Sequence, residues 1–111
     1  MRGFRVSRPA QRDLARILAY SRKRFGLQIA DAYETLLIKA FAMIRAEPFP
    51  KSVRRVEGSP SLLRVHLRSV PQASPKLINR PRHVVVFQQD EACLTIVRIL
   101  HEKMDEGRQL R

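Results

Sequence analysis

After a short alternating run at Gly3–Ser7, apolar positions recur at three- and four-residue steps as far as Ala46 and then at alternate positions in the second half of the chain. The pattern predicts a strand, two helices and a sheet, in that order. In the first run Phe4 and Val6 alternate with Arg5 and Ser7. Ser7-Arg8-Pro9 reads as a helix entrance, because serine can accept from free amide hydrogens and proline is tolerated in a first turn. The first helix is expected from about Pro9 to Arg24, with Leu14, Ile17, Leu18, Ser21 and Phe25 on one stripe. Gly26 is a stop signal, free to take the left-handed conformation that closes a helix. The second helix is expected from about Gln28 to Ala46, with Ile29, Tyr33, Leu36, Leu37, Ala40, Phe41 and Ile44 on its apolar face. So short a connection forces an antiparallel hairpin whose joint apolar surface must lie on a sheet.

Beyond Pro48 and Pro50, Lys51–Ser61 reads as a polar connector with a turn at Gly58–Pro60. In Leu62–Arg68, Leu63, Val65 and Leu67 are expected to face one way and Arg64, His66 and Arg68 the other. Val70–Arg82, with Pro71, Pro75 and Pro81, has no period and reads as a long loop that can vary without touching the core. His83–Gln89 returns as a strand. The closing stretch Cys93–Leu110 is the densest, with Leu94, Ile96 and Leu100 on one face and Val97 and Ile99 on the other. A strand apolar on both sides is central and covered. Arg98 interrupts the first face, so its charge must find a partner, reach solvent along its stem or serve a site. The expected architecture is α+β: an antiparallel sheet packed on an N-terminal α-helical hairpin, in the order β-α-α-β-β-β.

Composition narrows the partners. With 111 residues, 44% hydrophobic and 29% charged, residues 1–111 are expected to form one globular domain. A formal charge of +12 attracts polyanions or an acidic protein. Met1–Arg24 carries eight basic residues and the single acid Asp13, and Lys51–Arg82 carries eight against Glu57 alone. The lone Cys93 cannot form an internal disulfide, no apolar run is long enough for a membrane span, and the first residues open no signal peptide, so a cytoplasmic protein is expected. His66, His83 and His101 with one cysteine lack metal-ligand spacing, and neither metal nor cofactor is expected.

Pro9-Ala10-Gln11-Arg12-Asp13-Leu14, Tyr20, Phe25-Gly26, Ala32-Tyr33, Leu63-Arg64, His83-Val84-Val85-Val86-Phe87 and the closing Ile96–Asp105 together resemble the ParE branch of the ParE/RelE toxin superfamily of bacterial type II toxin–antitoxin modules. The closing motif is the specific one. The resemblance implies a cognate acidic antitoxin, contact with operator DNA only through the antitoxin complex, and action on DNA gyrase that stops replication. Two features depart from the pattern: the loop 70–82 is longer than the family's tight hairpin, and Phe87 stands where a tyrosine often stands. The residues expected to meet the target are Arg64, His66, Arg68, Arg98, His101, Lys103 and Arg108. For the antitoxin, an apolar groove beside Leu14, Leu18, Leu37 and Phe41 is expected to take an amphipathic helix.

The RelE branch implies the alternative, a ribosome-dependent endoribonuclease. Metal-free RNA cleavage needs a base, an acid and positive charge on the phosphate. The candidates are Glu57 or His101 as base and acid, with Arg64, Arg82 and Arg98 on the phosphate. The terminal tyrosine often used in that branch is absent, since Tyr20 and Tyr33 are both helical, and the expectation is a noncatalytic gyrase-directed toxin. A third class, an inactive toxin surviving as corepressor, is separated from both by testing for growth arrest.

Overall fold

The computed structural model describes residues 3–46, 49–73, 76–104 and 109–110. Its elements are β1 (Gly3–Val6), α1 (Arg8–Phe25), α2 (Leu27–Arg45), β2 (Arg54–Val56), β3 (Ser59–His66), a single 3-10 turn (Leu67–Ser69), β4 (His83–Gln89) and β5 (Cys93–His101). At the start of α1 the Ser7 hydroxyl accepts from the Ala10 amide at 3.1 Å and donates to the Val97 carbonyl at 2.7 Å. One side chain thus caps the helix and fastens it to the last strand. The basic residues Arg22, Lys23 and Arg24 fill the last turn of α1, where the helix dipole favours cations.

Gly26 alone connects the helices. Its amide donates to the Arg22 carbonyl at 3.0 Å, its carbonyl accepts from the Ala30 amide at 3.1 Å, and its φ of 90° and ψ of 173° lie where side-chain-bearing residues are strained. A Cβ there would meet nothing within 4 Å, so backbone strain rather than crowding sets the cost of substitution. Gly26→Ala is expected to lower stability by about 1–3 kcal/mol. A urea midpoint unchanged from the parent would show that the hairpin accommodates the residue by another turn.

The five strands lie in the order β1-β5-β4-β3-β2. The meander β3-β4-β5 is antiparallel, as the pattern predicts, while β1 pairs parallel to β5 with Val6 opposite Ile96, which makes the sheet mixed. The stretch read as a polar connector contains β2, which pairs with β3 across a turn at Gly58 (φ 79°). Arg54 and Arg55 are exposed there, so this edge strand shows little of the apolar alternation that announces a buried one.

A bulge in β5 changes which residues share a face. Phe87 pairs with Ile96 and Val86 with Arg98, leaving Val97 without an opposite number on β4. Past the bulge the alternation is inverted: Ile99 joins Leu94 and Ile96 in the core beneath the helices, and Leu100 packs on the opposite face with Val56, Val84, Val86 and Val97. Simple alternation had grouped Leu100 with Leu94 and Ile96. Leu110 also packs on that outer cluster.

The helix-side core is built on Leu36, Leu37, Ala40, Ile44, Val65, Leu67, Val85 and Phe87. Phe87 is fully buried, edge-on to Phe49 with ring centroids 5.6 Å apart, so its position is apolar and well filled. The loop after the 3-10 turn does enter the core, contrary to expectation. Val70 and Ile78 are buried, and the Gln72 amide clamps Ile78 from both sides, donating to its carbonyl at 2.8 Å and accepting from its amide at 3.1 Å. No helix among the described residues is long and apolar enough to cross a membrane.

Candidate functional site

Polar residues converge where β3 and β5 end and β4 begins. At the end of β3, His66 Nδ1 accepts the Arg68 amide at 3.0 Å, which caps the 3-10 turn and leaves the ring proton on Nε2. That nitrogen lies 2.7 Å from Glu102 Oε2, so it donates to the carboxylate just past β5. Arg82 Nη1 donates to the other oxygen, Oε1, at 3.0 Å, and the Glu102 amide donates to the Arg82 carbonyl at 2.7 Å. The His66 hydrogen bond first, and Arg82 second, hold the Glu102 carboxyl down at about 2. Glu102 therefore ties the closing segment to the ends of β3 and β4.

A second pair adjoins the first. Tyr33 reaches from α2 to place its hydroxyl 2.5 Å from His83 Nδ1 and 3.2 Å from the Arg82 amide, which donates to it. Burial, followed by the charges of His101 and His66, depresses His83 to about 4, and burial pushes Tyr33 up to about 12. Both groups are consequently neutral near pH 7, with the phenol donating to the imidazole. The His101 ring meets His83 edge-on at 5.4 Å, and its Nδ1 accepts the Lys103 amide at 3.1 Å.

The residues expected at the target surface are dispersed by the fold. His66 is 6% exposed and bonded at both nitrogens, and so belongs to the interior; alternation along β3 had placed it on an open face. Arg68 is exposed but sits in the 3-10 turn, beyond the end of the strand to which it had been assigned. Arg64 is half-buried on β3, opposite Arg54 on one side and Val86 on the other. Arg98 is committed elsewhere, because Asp13 of α1 takes its Nε at 2.7 Å and its Nη2 at 3.0 Å. Asp13 also accepts the Ile99 amide at 2.9 Å, closing the stretch of β5 edge that β1 is too short to cover. His101 is half-buried and Lys103 exposed, while Arg108 lies outside the described residues.

The groove proposed for a partner helix is corrected by burial. Leu37 is fully buried and Leu18 nearly so, and Leu14 and Phe41 pack against the core as partly buried neighbours. The periodicity identified an apolar face correctly, but that face is covered by the sheet. Exposed apolar side chains lie instead at the hairpin tip, on Tyr20, Phe25 and Leu27, and at Ile38 on α2. Glu102, His83 and the Tyr33 hydroxyl are the site groups that sequence reasoning missed. A tyrosine within a stripe that otherwise carries no polar atom was the available signal, since a buried phenol must find a hydrogen-bond partner. The described residues contain no cluster of three or more His, Cys, Asp or Glu side chains able to hold a metal ion.

A helical hairpin laid on a small mixed sheet, with a polar cluster at the sheet's end, is an arrangement found in solved proteins. The chain resembles a chain of the chromosomal ParDE TA system from P. aeruginosa, with a TM-score of 0.67 and 15% identity over 91% of this chain and 96% of that one. It resembles YafQ from E. coli less closely, with a TM-score of 0.51 and 15% identity over the whole of both chains. No curated protein matches the sequence. Residues 4–106 match the family described as the ParE toxin of the type II toxin–antitoxin system parDE, and the chain belongs to that family. It is thus the toxin component of such a system, whose partner is a cognate antitoxin.

Proposed function

We propose that this toxin acts without catalysis on DNA gyrase, arresting replication, and that an acidic antitoxin neutralises it and carries it to operator DNA. Family membership across residues 4–106 is the observation that carries the reading. The +12 charge supports an acidic partner, since close approach of opposite charge relieves the self-repulsion of the free chain.

The state of the polar cluster supports the absence of catalysis. A general base should titrate near the working pH and have a free lone pair directed at substrate. Glu102 is held at about 2 with both oxygens engaged, His66 is bonded at both nitrogens, and the Tyr33 hydroxyl is shared between His83 and the Arg82 amide. Of the two candidates named from the sequence, Glu57 is exposed at the β2–β3 turn, and His101 is half-buried with its Nδ1 accepting the Lys103 amide.

The test is a supercoiling assay with gyrase and DNA, run beside a translation extract programmed with reporter messenger RNA. Loss of supercoiling with accumulation of cleaved DNA and intact messenger is expected. Cut messenger with normal supercoiling would overturn the reading in favour of the ribonuclease. In cells, the double variant Arg64→Ala/Arg68→Ala is expected to relieve growth arrest while still melting cooperatively. Undiminished arrest would remove these two arginines from the target contact.

A further inference from the structure

Beside the Glu102 clamp an open polar cavity of about 270 Å³ separates the 3-10 turn from the loop that precedes β4. Its lining includes four permanent cations, Arg68, Lys76, Arg80 and Arg82, and one carboxylate, Glu102. That carboxylate is already satisfied by Arg82 and His66. Among the described residues Arg68, Lys76 and Arg80 have no carboxylate partner, which leaves three of the cavity's cations without counter-charge from those residues. The Asn79 amide adds a neutral donor to the wall. The walls are fixed by interactions that do not require a ligand. Gln72 clamps the loop at Ile78, Ile78 is buried in the core, and His66 caps the turn that carries Arg68.

We propose that this cavity is a binding site for a phosphate group. The donors that line the space come from two separate segments, the 3-10 turn and the loop before β4, which suits a tetrahedral anion that accepts from several directions. A planar carboxylate is best met by a single guanidinium fork, so an acidic peptide is the weaker fit. The volume exceeds the roughly 30 Å³ share of one water several-fold, leaving room for a phosphate and part of its hydration shell. No Phe, Tyr or Trp lines it to stack a base, so recognition is of the phosphate, independent of nucleotide sequence. The phosphate can belong to a small polyphosphate or to the backbone of a nucleic acid strand. The proposal stands apart from the gyrase reading and is tested without gyrase.

Pyrophosphate is titrated calorimetrically into the full chain at constant ionic strength, in parallel with two double variants. Lys76→Ala/Arg80→Ala removes two cavity charges from exposed loop positions, and Arg22→Ala/Lys23→Ala removes two from the last turn of α1. The cavity variant is expected to bind pyrophosphate roughly tenfold more weakly, and the helix variant within about twofold of the parent. Equal weakening in both would mean diffuse attraction to a basic chain and would overturn the proposal, as would no binding to the parent. A polyglutamate peptide that needs Lys76 and Arg80 while pyrophosphate does not would also overturn it, assigning the cavity to an acidic protein segment. An oligodeoxynucleotide without terminal phosphates then identifies the source. Competition with pyrophosphate marks the strand backbone, and failure to compete marks a small polyphosphate.

Discussion

Asp13→Ala is expected to lower the unfolding free energy by about 3–4 kcal/mol, a large part of the stability of a domain this size. The carboxylate is 7% exposed and accepts three hydrogen bonds, two from Arg98 and one from the Ile99 amide. Its loss strands a guanidinium that is only 20% exposed and a buried amide on the uncovered edge of β5. The Arg98 Nη1 contact to the Gln109 carbonyl at 3.3 Å is too long to compensate. Asp13→Asn keeps an acceptor for the Ile99 amide and should fall between alanine and the parent. In Asp13→Ala/Arg98→Met both charges are gone, and part of the loss should return. Urea melts of the four proteins decide it. A shift for Asp13→Ala equivalent to less than about 1 kcal/mol, the scale of an exposed pair, would mean that the ion pair is solvated.

Acid should loosen the fold well before ordinary carboxylates titrate. His83 has its folded value depressed to about 4 from 6.5, so between those limits the unfolded chain binds the extra proton. The contribution is fully present above pH 6.5, falls as the pH drops below it, and levels off below 4. The total loss is about 3 kcal/mol. Glu102 extends the decline, because its folded value of about 2 against 4.5 gives a contribution present above 4.5 and lost on further acidification towards 2. At the alkaline end Tyr33 acts in the opposite sense. Its value is raised from 10 to about 12, so its contribution holds below pH 10 and fades as the pH climbs towards 12. Urea melts at pH 7, 5.5 and 4 on the parent and on His83→Gln separate these groups. The parent should lose stability mainly between pH 6.5 and 4 and the variant should be nearly flat there. Parallel curves would assign the acid sensitivity to other groups.

The helices were legible because burial against a sheet imposes a period of three and four residues, and one glycine with a positive φ separates two such runs. Their boundaries fell within one residue of those observed: Arg8–Phe25 and Leu27–Arg45 against Pro9–Arg24 and Gln28–Ala46. Periodicity does not say what covers a face, which is why Leu37 was expected to be open to a partner and is instead fully buried. The bulge at Val97 was not legible, since one extra residue in a run of β-formers leaves no compositional trace and inverts every assignment after it. For Arg98 the sequence left open a partner, a route to solvent or a site; the structure supplies a partner, Asp13, which stands 85 positions away on α1. The Glu102 clamp has the same character. Its ligands His66 and Arg82 come from different strand ends, and only the antiparallel register brings them together.

The parallel pairing of Phe4 with Leu94 and Val6 with Ile96 has a consequence for biosynthesis. β1 leaves the ribosome well before β5, the strand it pairs with, so it must wait unpaired while the intervening chain is translated. During that interval the helical hairpin can form locally, but Leu36, Leu37, Ala40 and Ile44 have no sheet to cover them. Until β5 emerges, the nascent chain leaves open an apolar helix face that the folded domain buries. The same pairing also delays completion of the sheet until β5 has emerged.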